Sequence, residues 1–142
     1  MAPESLTLTR TFHFSAGHRL ASPVLSEAEN RATYGPCFRS HGHNYLLEVT
    51  VGGTIDPTSG MAADLDRLEA AVQRAILDYV DHRNLDGDVP ALEGMITTGE
   101  NLARAFWRML REALPAGSLR RVAVIETANN TFEYFGDDGV TA

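Results

Sequence analysis

The sequence predicts an α+β fold, with two helices on one face of a four-stranded antiparallel sheet. Three observations lead there. Apolar and polar residues alternate near both ends of the chain, which is strand periodicity. Between those ends, two stretches repeat at three and four residues, which is helical periodicity. The resulting order is strand, strand, helix, helix, strand, strand, and two hairpin-like pairs around two helices fit a sheet covered on one side. Such a sheet keeps one bare face and two edges, so it is either small and solvated or finds partners.

Each element has its own signal. In residues 6–18, Leu6, Leu8, Phe12, Phe14, Ala16 and His18 share one parity. Residues 19–40 are irregular, with Pro23, Asn30, Gly35 and Pro36. A connection that long is usually functional or carries local structure of its own. Residues 43–51 alternate again through Tyr45, Leu47, Val49 and Val51. Gly52-Gly53 and Asp56-Pro57-Thr58-Ser59-Gly60 are turn chemistry. Leu65, Leu68, Val72, Ala75, Ile76 and Tyr79 then form a helical stripe that ends near Val80, with Asp64 as its N-cap. Residues 87–94 read as loop. A second helix starts at Thr97 or Thr98 and buries Leu102, Ala105, Phe106, Met109, Leu110 and Ala113, and Pro115 and Gly117 end it. Residues 119–127 form a strand, 128–130 a tight turn and 131–135 the last strand. Residues 137–142 are expected to be disordered.

Composition narrows the function. The chain has 142 residues, which predicts one domain over 1–142. It is 44% hydrophobic and 22% charged, ordinary for a globular protein. Twelve basic residues, all arginine, face 19 acidic ones for a net charge of −7. A basic field for nucleic acid or anionic lipid is therefore absent, although a local arginine cluster can still meet a small anion. No apolar stretch is long enough for a membrane span. Residues 1–5 lack the basic and apolar regions of a signal peptide, so the chain reads as cytoplasmic. Cys37 is the one cysteine, which excludes an intrachain disulfide.

The histidines carry the first chemical signal. His41 and His43 are two apart and fall on one face of a strand, about 6–7 Å from each other. His18 ends the first strand and can be brought to the same place. Three neutral imidazoles suit zinc and leave a fourth position open for water or substrate. The bland alternative is a set of polar residues at strand ends. His13 has the opposite parity to His18 and faces away.

Cys37 precedes His41 by four residues. It is a metal ligand, a thiolate of lowered pKa acting as base or nucleophile, or a packing residue. Asp81-His82 follows the first helix, and a carboxylate can fix a histidine's tautomer and raise its basicity. A polar helix terminus with Asp81 and Asp86 solvated is the plainer alternative. Thr97-Thr98-Gly99-Glu100 fits a capping box, with Glu100 reaching back to the Thr97 amide. Glu126 shares parity with Val122 and Val124. Buried there it needs paired donors, and two parallel N–H groups on the edge of a ligand ring would supply them.

These residues together resemble one family. The marks are Phe14-Ser15-Ala16-Gly17-His18-Arg19-Leu20, Cys37 with His41-Gly42-His43-Asn44-Tyr45, Gly60-Met61, Asp81-His82-Arg83-Asn84-Leu85, Thr98-Gly99-Glu100-Asn101-Leu102 and Glu126-Thr127-Ala128-Asn129-Asn130. Over residues 11–136 the chain resembles 6-pyruvoyl-tetrahydropterin synthase and the related 6-carboxy-tetrahydropterin synthase.

The resemblance implies the tunnelling fold, in which trimers close their sheets into a barrel and two trimers stack as a homohexamer. Active sites would lie between subunits. It assigns His18, His41 and His43 to zinc, Cys37 to proton abstraction, and Asp81 with His82 to a partnered acid/base pair. Glu126 would anchor the pterin ring, with Thr98 and Glu100 helping. The substrate would be 7,8-dihydroneopterin triphosphate. Arg19, Arg39 and Arg83 are candidates to meet its triphosphate. The three residues between Cys37 and His41 resemble the carboxy type, which places the product as 6-carboxy-tetrahydropterin, with acetaldehyde and triphosphate, on a queuosine (deazaguanine) route. The alternative is the pyruvoyl type, which eliminates triphosphate from the same substrate and which Asp81 to Asp86 and Glu126 to Asn130 resemble more closely. A non-catalytic pterin- or zinc-binding module is the further alternative.

Overall fold

The computed structural model describes residues 6–137; the predicted absence of a leader and the predicted disorder after Asp137 concern residues 1–5 and 138–142, outside that range. Strand β1 (Thr7–His18) pairs antiparallel with β2 (His41–Gly52) over its whole length, from Thr7 opposite Gly52 to His18 opposite His41. Helix α1 (Glu27–Tyr34) and a 3-10 turn (Gly35–Phe38) lie in the connection between them. Helix α2 (Leu65–Val72) continues through a π-helical turn (Gln73–Leu77) into α3 (Asp78–Val80), so the helical backbone runs unbroken over 65–80. The short β3 (Arg83–Asn84), helix α4 (Gly99–Leu110), β4 (Leu119–Thr127) and β5 (Asn130–Tyr134) complete the chain.

The sheet corrects the expected one. It has five strands in the order β3-β1-β2-β4-β5, and it is mixed. β3 runs parallel to β1, with Arg83 opposite Ala16 and Asn84 opposite Gly17. Two residues with no apolar alternation leave no strand periodicity to read. What makes β3 a strand is its anchoring: the buried Leu85 after it donates its amide to the Gly17 carbonyl at 2.8 Å.

The long connection also holds more order than its composition indicates. Ser26 and Glu29 form a reciprocal capping box at the start of α1, with bonds of 3.1 and 2.9 Å. Buried Asn30 then accepts from the Ser22 amide and donates to the Ser22 carbonyl, which ties the helix to the incoming chain.

The core lies between one face of the sheet and the helices. Phe14, Tyr45, Leu47, Val49, Val122 and Val124 supply the sheet side. Leu68, Val72, Ile76, Val80, Leu102, Phe106 and Leu110 face them. Asp64 caps α2 by accepting from the Arg67 amide at 3.0 Å, as its spacing predicts. The other sheet face carries polar pairs, including Ser15 with Asn44 and Arg121 between Glu48 and Glu133. No described helix is long and apolar enough to cross a membrane.

Candidate metal centre and active site

The full pairing of β1 with β2 brings the three predicted histidines together. His18 and His41 are cross-strand partners, and His43 lies two residues further along β2 on the same face. Their ring centroids stand 4.6, 4.8 and 5.2 Å apart. One ligating nitrogen from each falls within 4.8 Å of the others. His13 points to the opposite face and is exposed, as parity predicts.

The hydrogen bonds settle what these rings can offer. His18 Nδ1 lies 2.9 Å from the Thr97 carbonyl, and His41 Nδ1 lies 2.7 Å from the Arg39 carbonyl. A carbonyl only accepts, so both Nδ1 atoms carry the proton and both Nε2 atoms present a lone pair. His43 Nε2 is buried with no hydrogen-bond partner. A buried polar atom left unpaired is costly, and a cation between the rings would satisfy it. Burial holds the His18 and His43 pKa values below the ordinary imidazole value, with His41 pushing the same way. Neutral rings are the ligating form. The donor set fits zinc with one coordination position open.

Glu126 faces this cluster. Its carboxylate lies 3.8 Å from His43 Nε2, and its side chain is only 16% exposed. The pairing of β4 with β5 shifts register between Ile125 and Thr127, so Glu126 occupies an irregularity of the strand. Bulges of this kind re-aim a side chain near a site. Tyr45 backs the cluster, stacked on Phe14 with its hydroxyl 3.4 Å from His18 Nε2. Burial, then Glu126 and Asp86, push its pKa well above the usual phenol range.

The other candidates are placed around this centre. Cys37 sits half-buried in the 3-10 turn, and its carbonyl accepts from the Leu20 amide at 2.8 Å. It lies outside the mutually close histidine set. Asp81 and His82 do touch: His82 Nδ1 lies 2.9 Å from Asp81 Oδ1. The Ser15 amide also donates to Asp81, at 3.0 Å. His82 is the one described non-glycine residue with positive φ, at 61°. Its side chain is 82% exposed. Among the described residues, no hydrogen bond joins Cys37 to this pair.

Thr98, not Thr97, caps α4, accepting from the Asn101 amide at 3.3 Å. The predicted capping box is therefore one residue out of register. Asn101 occupies the third helical position, and Glu100 is exposed in the first turn. Gly99 is required there, because a Cβ on it would lie 2.1 Å from the Phe132 ring.

Asp86 is the residue whose partners sequence reasoning missed; it is exposed, as the polar-terminus alternative has it, but it is not unpartnered. Its carboxylate accepts from the Thr97 hydroxyl and from the Arg19 amide, each at 2.7 Å. A single aspartate in a loop gives no spacing signal, so only the fold reveals these partners.

Known proteins resemble this chain over nearly its whole length. Residues 7–137 match the family described as 6-pyruvoyl tetrahydropterin synthase. The chain is 44% identical over 132 residues to 6-pyruvoyl tetrahydrobiopterin synthase of Homo sapiens, covering 92% of this chain and 91% of the human protein. It is 28% identical over 156 residues to 6-carboxy-5,6,7,8-tetrahydropterin synthase of Aquifex aeolicus, covering 89% and 96%. The solved structure of Caenorhabditis elegans 6-pyruvoyl tetrahydropterin synthase superposes with a TM-score of 0.89 at 41% identity, covering 96% of this chain and all of that one. With a three-histidine cluster on the same scaffold, the chain belongs to the 6-pyruvoyl tetrahydropterin synthase family.

Proposed function

We propose that the protein is a lyase that converts 7,8-dihydroneopterin triphosphate to 6-pyruvoyl-tetrahydropterin with loss of triphosphate. The observation that carries this reading is the convergence of His18, His41 and His43, with an orphaned His43 nitrogen, beside the Glu126 carboxylate. The 44% and 41% identities to pyruvoyl-type relatives support it over the carboxy product that the short Cys37–His41 spacer favours. Within the spacer, the Arg39 carbonyl orients His41.

His18, His41 and His43 would hold zinc, which supplies Lewis acidity toward the oxygens of the substrate side chain. Glu126 would accept two parallel N–H donors from the pterin ring edge in bidentate form. Thr98 and Glu100, at the start of α4, line the ring's approach. Cys37 would take a proton from the side chain as thiolate. In the Asp81–His82 pair, the carboxylate holds Nδ1–H and leaves Nε2 exposed to give or take a proton. The ring gains the two hydrogens lost as one side-chain hydroxyl becomes a carbonyl, and loss of triphosphate turns the other hydroxyl carbon, through an enol, into a ketone beside a methyl group, so the redox change is internal and no nicotinamide is needed. Arg19, Arg39 and Arg83 have no carboxylate within salt-bridge distance among the described residues, and all three are available to the triphosphate.

The assembly belongs to the same reading. Among the described residues, the outer edge of β1 has no strand beside it outside residues 16 and 17, and β5 is the opposite edge. Three copies joined edge to edge would close a barrel, two such trimers would form a homohexamer, and Cys37 could then meet an Asp81–His82 pair from a neighbour.

Product analysis tests the function. Zinc-loaded protein incubated with 7,8-dihydroneopterin triphosphate should give 6-pyruvoyl-tetrahydropterin by mass spectrometry. Release of 6-carboxy-tetrahydropterin and acetaldehyde would establish the other product, and tight pterin binding without turnover would make the protein a binding module.

A further inference from the structure

The structure assigns Asp86 a role as a positioning residue of the metal centre, acting on His18 through Thr97. This rests on the zinc reading above and deepens it.

The direction of each bond follows from its partners. Asp86 Oδ1 lies 2.7 Å from Thr97 Oγ1, and a carboxylate accepts, so the hydroxyl hydrogen points at Asp86. Thr97 Oγ1 therefore has only lone pairs left for its other neighbour. That neighbour is His18 Nδ1, at 3.2 Å. The Thr97 carbonyl reaches the same nitrogen at 2.9 Å. Two acceptors on one side force the proton onto Nδ1 and turn the Nε2 lone pair toward His41 and His43. Thr97 and His18 are almost fully buried, so water does not compete for the bonds between them, while Asp86 reaches Thr97 from the exposed side.

Asp86 is itself held firmly. Its backbone amide donates to the Asn84 side chain at 2.8 Å, and the preceding Leu85 is fully buried. Its second oxygen accepts from the Arg19 amide at 2.7 Å, next to His18 in the chain. One carboxylate thus fixes the end of β1 and the threonine that orients the ligand on it. His41 has no such relay, because its Nδ1 rests on the Arg39 carbonyl alone and is not shielded from water. The relay makes His18 the pre-oriented member of the set. Outer partners of this kind typically contribute about 10–100-fold in metal affinity.

The experiment uses the full chain and zinc itself. Zinc affinity is measured by chelator competition for the parent, Thr97→Val, Thr97→Ser and Asp86→Asn, with a thermal melt of each apo form. Thr97→Val and Asp86→Asn should bind zinc about 10-fold or more weakly. Thr97→Ser, which keeps the hydroxyl that Thr97→Val removes, should retain the parent affinity. Unchanged affinity in Thr97→Val and Asp86→Asn, with only a lowered melting temperature, would overturn the role and leave Asp86 a loop anchor. A second readout does not need the metal. Imidazole nitrogen NMR of the apo protein should show His18 protonated at Nδ1 in every variant, because the Thr97 carbonyl remains, with the Nδ1–H exchanging with water markedly faster in Thr97→Val and Asp86→Asn than in the parent and Thr97→Ser. A parent that binds no zinc but shows this pattern would sink the zinc reading and keep the relay. An exchange rate indifferent to Thr97→Val and Asp86→Asn would sink the relay itself.

Discussion

Two aspartate–histidine arrangements stand within a few residues of each other in the chain and are built in opposite ways. Asp81 and His82 are adjacent, touch directly, and are exposed. Asp86 and His18 are far apart in sequence, meet through Thr97, and put the histidine in the core. In the first pair one imidazole nitrogen is held and the other is open to solvent, which suits a proton that must come and go. In the second, the held nitrogen fixes the ring so that the other keeps a permanent lone pair, which suits a ligand. The same two residue types give a proton carrier or a metal ligand according to burial and to what lies between them.

Predictions follow from trying to merge or separate these roles. The largest effect is expected from removing a ligand. His43→Ala leaves two imidazoles, and the purified protein should no longer carry stoichiometric zinc by metal analysis. Cys37→Ala should keep its metal and lose about 10²–10⁴-fold in kcat, the range for a positioned acid or base. Asp81→Asn should lower kcat by about 10²-fold with zinc affinity equal to the parent. A loss of zinc in that variant would merge the two arrangements and break the contrast. Leu85→Ala should cost about 2–5 kcal/mol in a urea melt, because Leu85 is fully buried and carries the turn that presents Asp86. It should weaken zinc binding as well, which Asp81→Asn should not.

The smallest effect serves as a control on an exposed carboxylate. Asp137 is bonded by Arg108, Arg111 and Tyr134, and the Arg108 bond above all holds its pKa below the usual carboxylate range. Its contribution to stability is complete above the unfolded-state value and is lost as pH falls through the lowered folded one. Asp137→Asn should therefore melt slightly below the parent at neutral pH and together with it in strong acid.

Much of this was legible in the residues. The parity of β1 and β2 placed His18, His41 and His43 on one face, and the same parity turned His13 away. The stripes of both helices and the Asp64 cap were readable because periodicity and capping are local. What escaped depended on distant contacts. β3 is two residues held by a buried leucine, with nothing periodic to detect. The capping box at Ser26 and Glu29 was hidden in a segment whose proline and glycine read as loop. Thr97 looked like a cap because its neighbours fit the pattern, yet its bonds run to Asp86 and His18. Asp137 was expected within a disordered tail and is clamped to α4. The short Cys37–His41 spacing is visible, but the use of its Arg39 carbonyl to orient His41 is not.

The π-helical turn at Gln73–Leu77 has a consequence for which changes of length the chain tolerates. Such a turn accommodates one residue more than a regular helix would over the same span. Deleting one residue there would restore an ordinary helix over the same span, so Val80 would stay in the core and Asp81 would stay at the Ser15 amide that donates to it. A second deletion would have no spare residue to draw on and would rotate everything beyond it by about 100° about the axis. The helix should therefore tolerate the loss of one residue in this turn and be disabled by the loss of two. At this place the chain carries a reserve of length that a regular helix lacks.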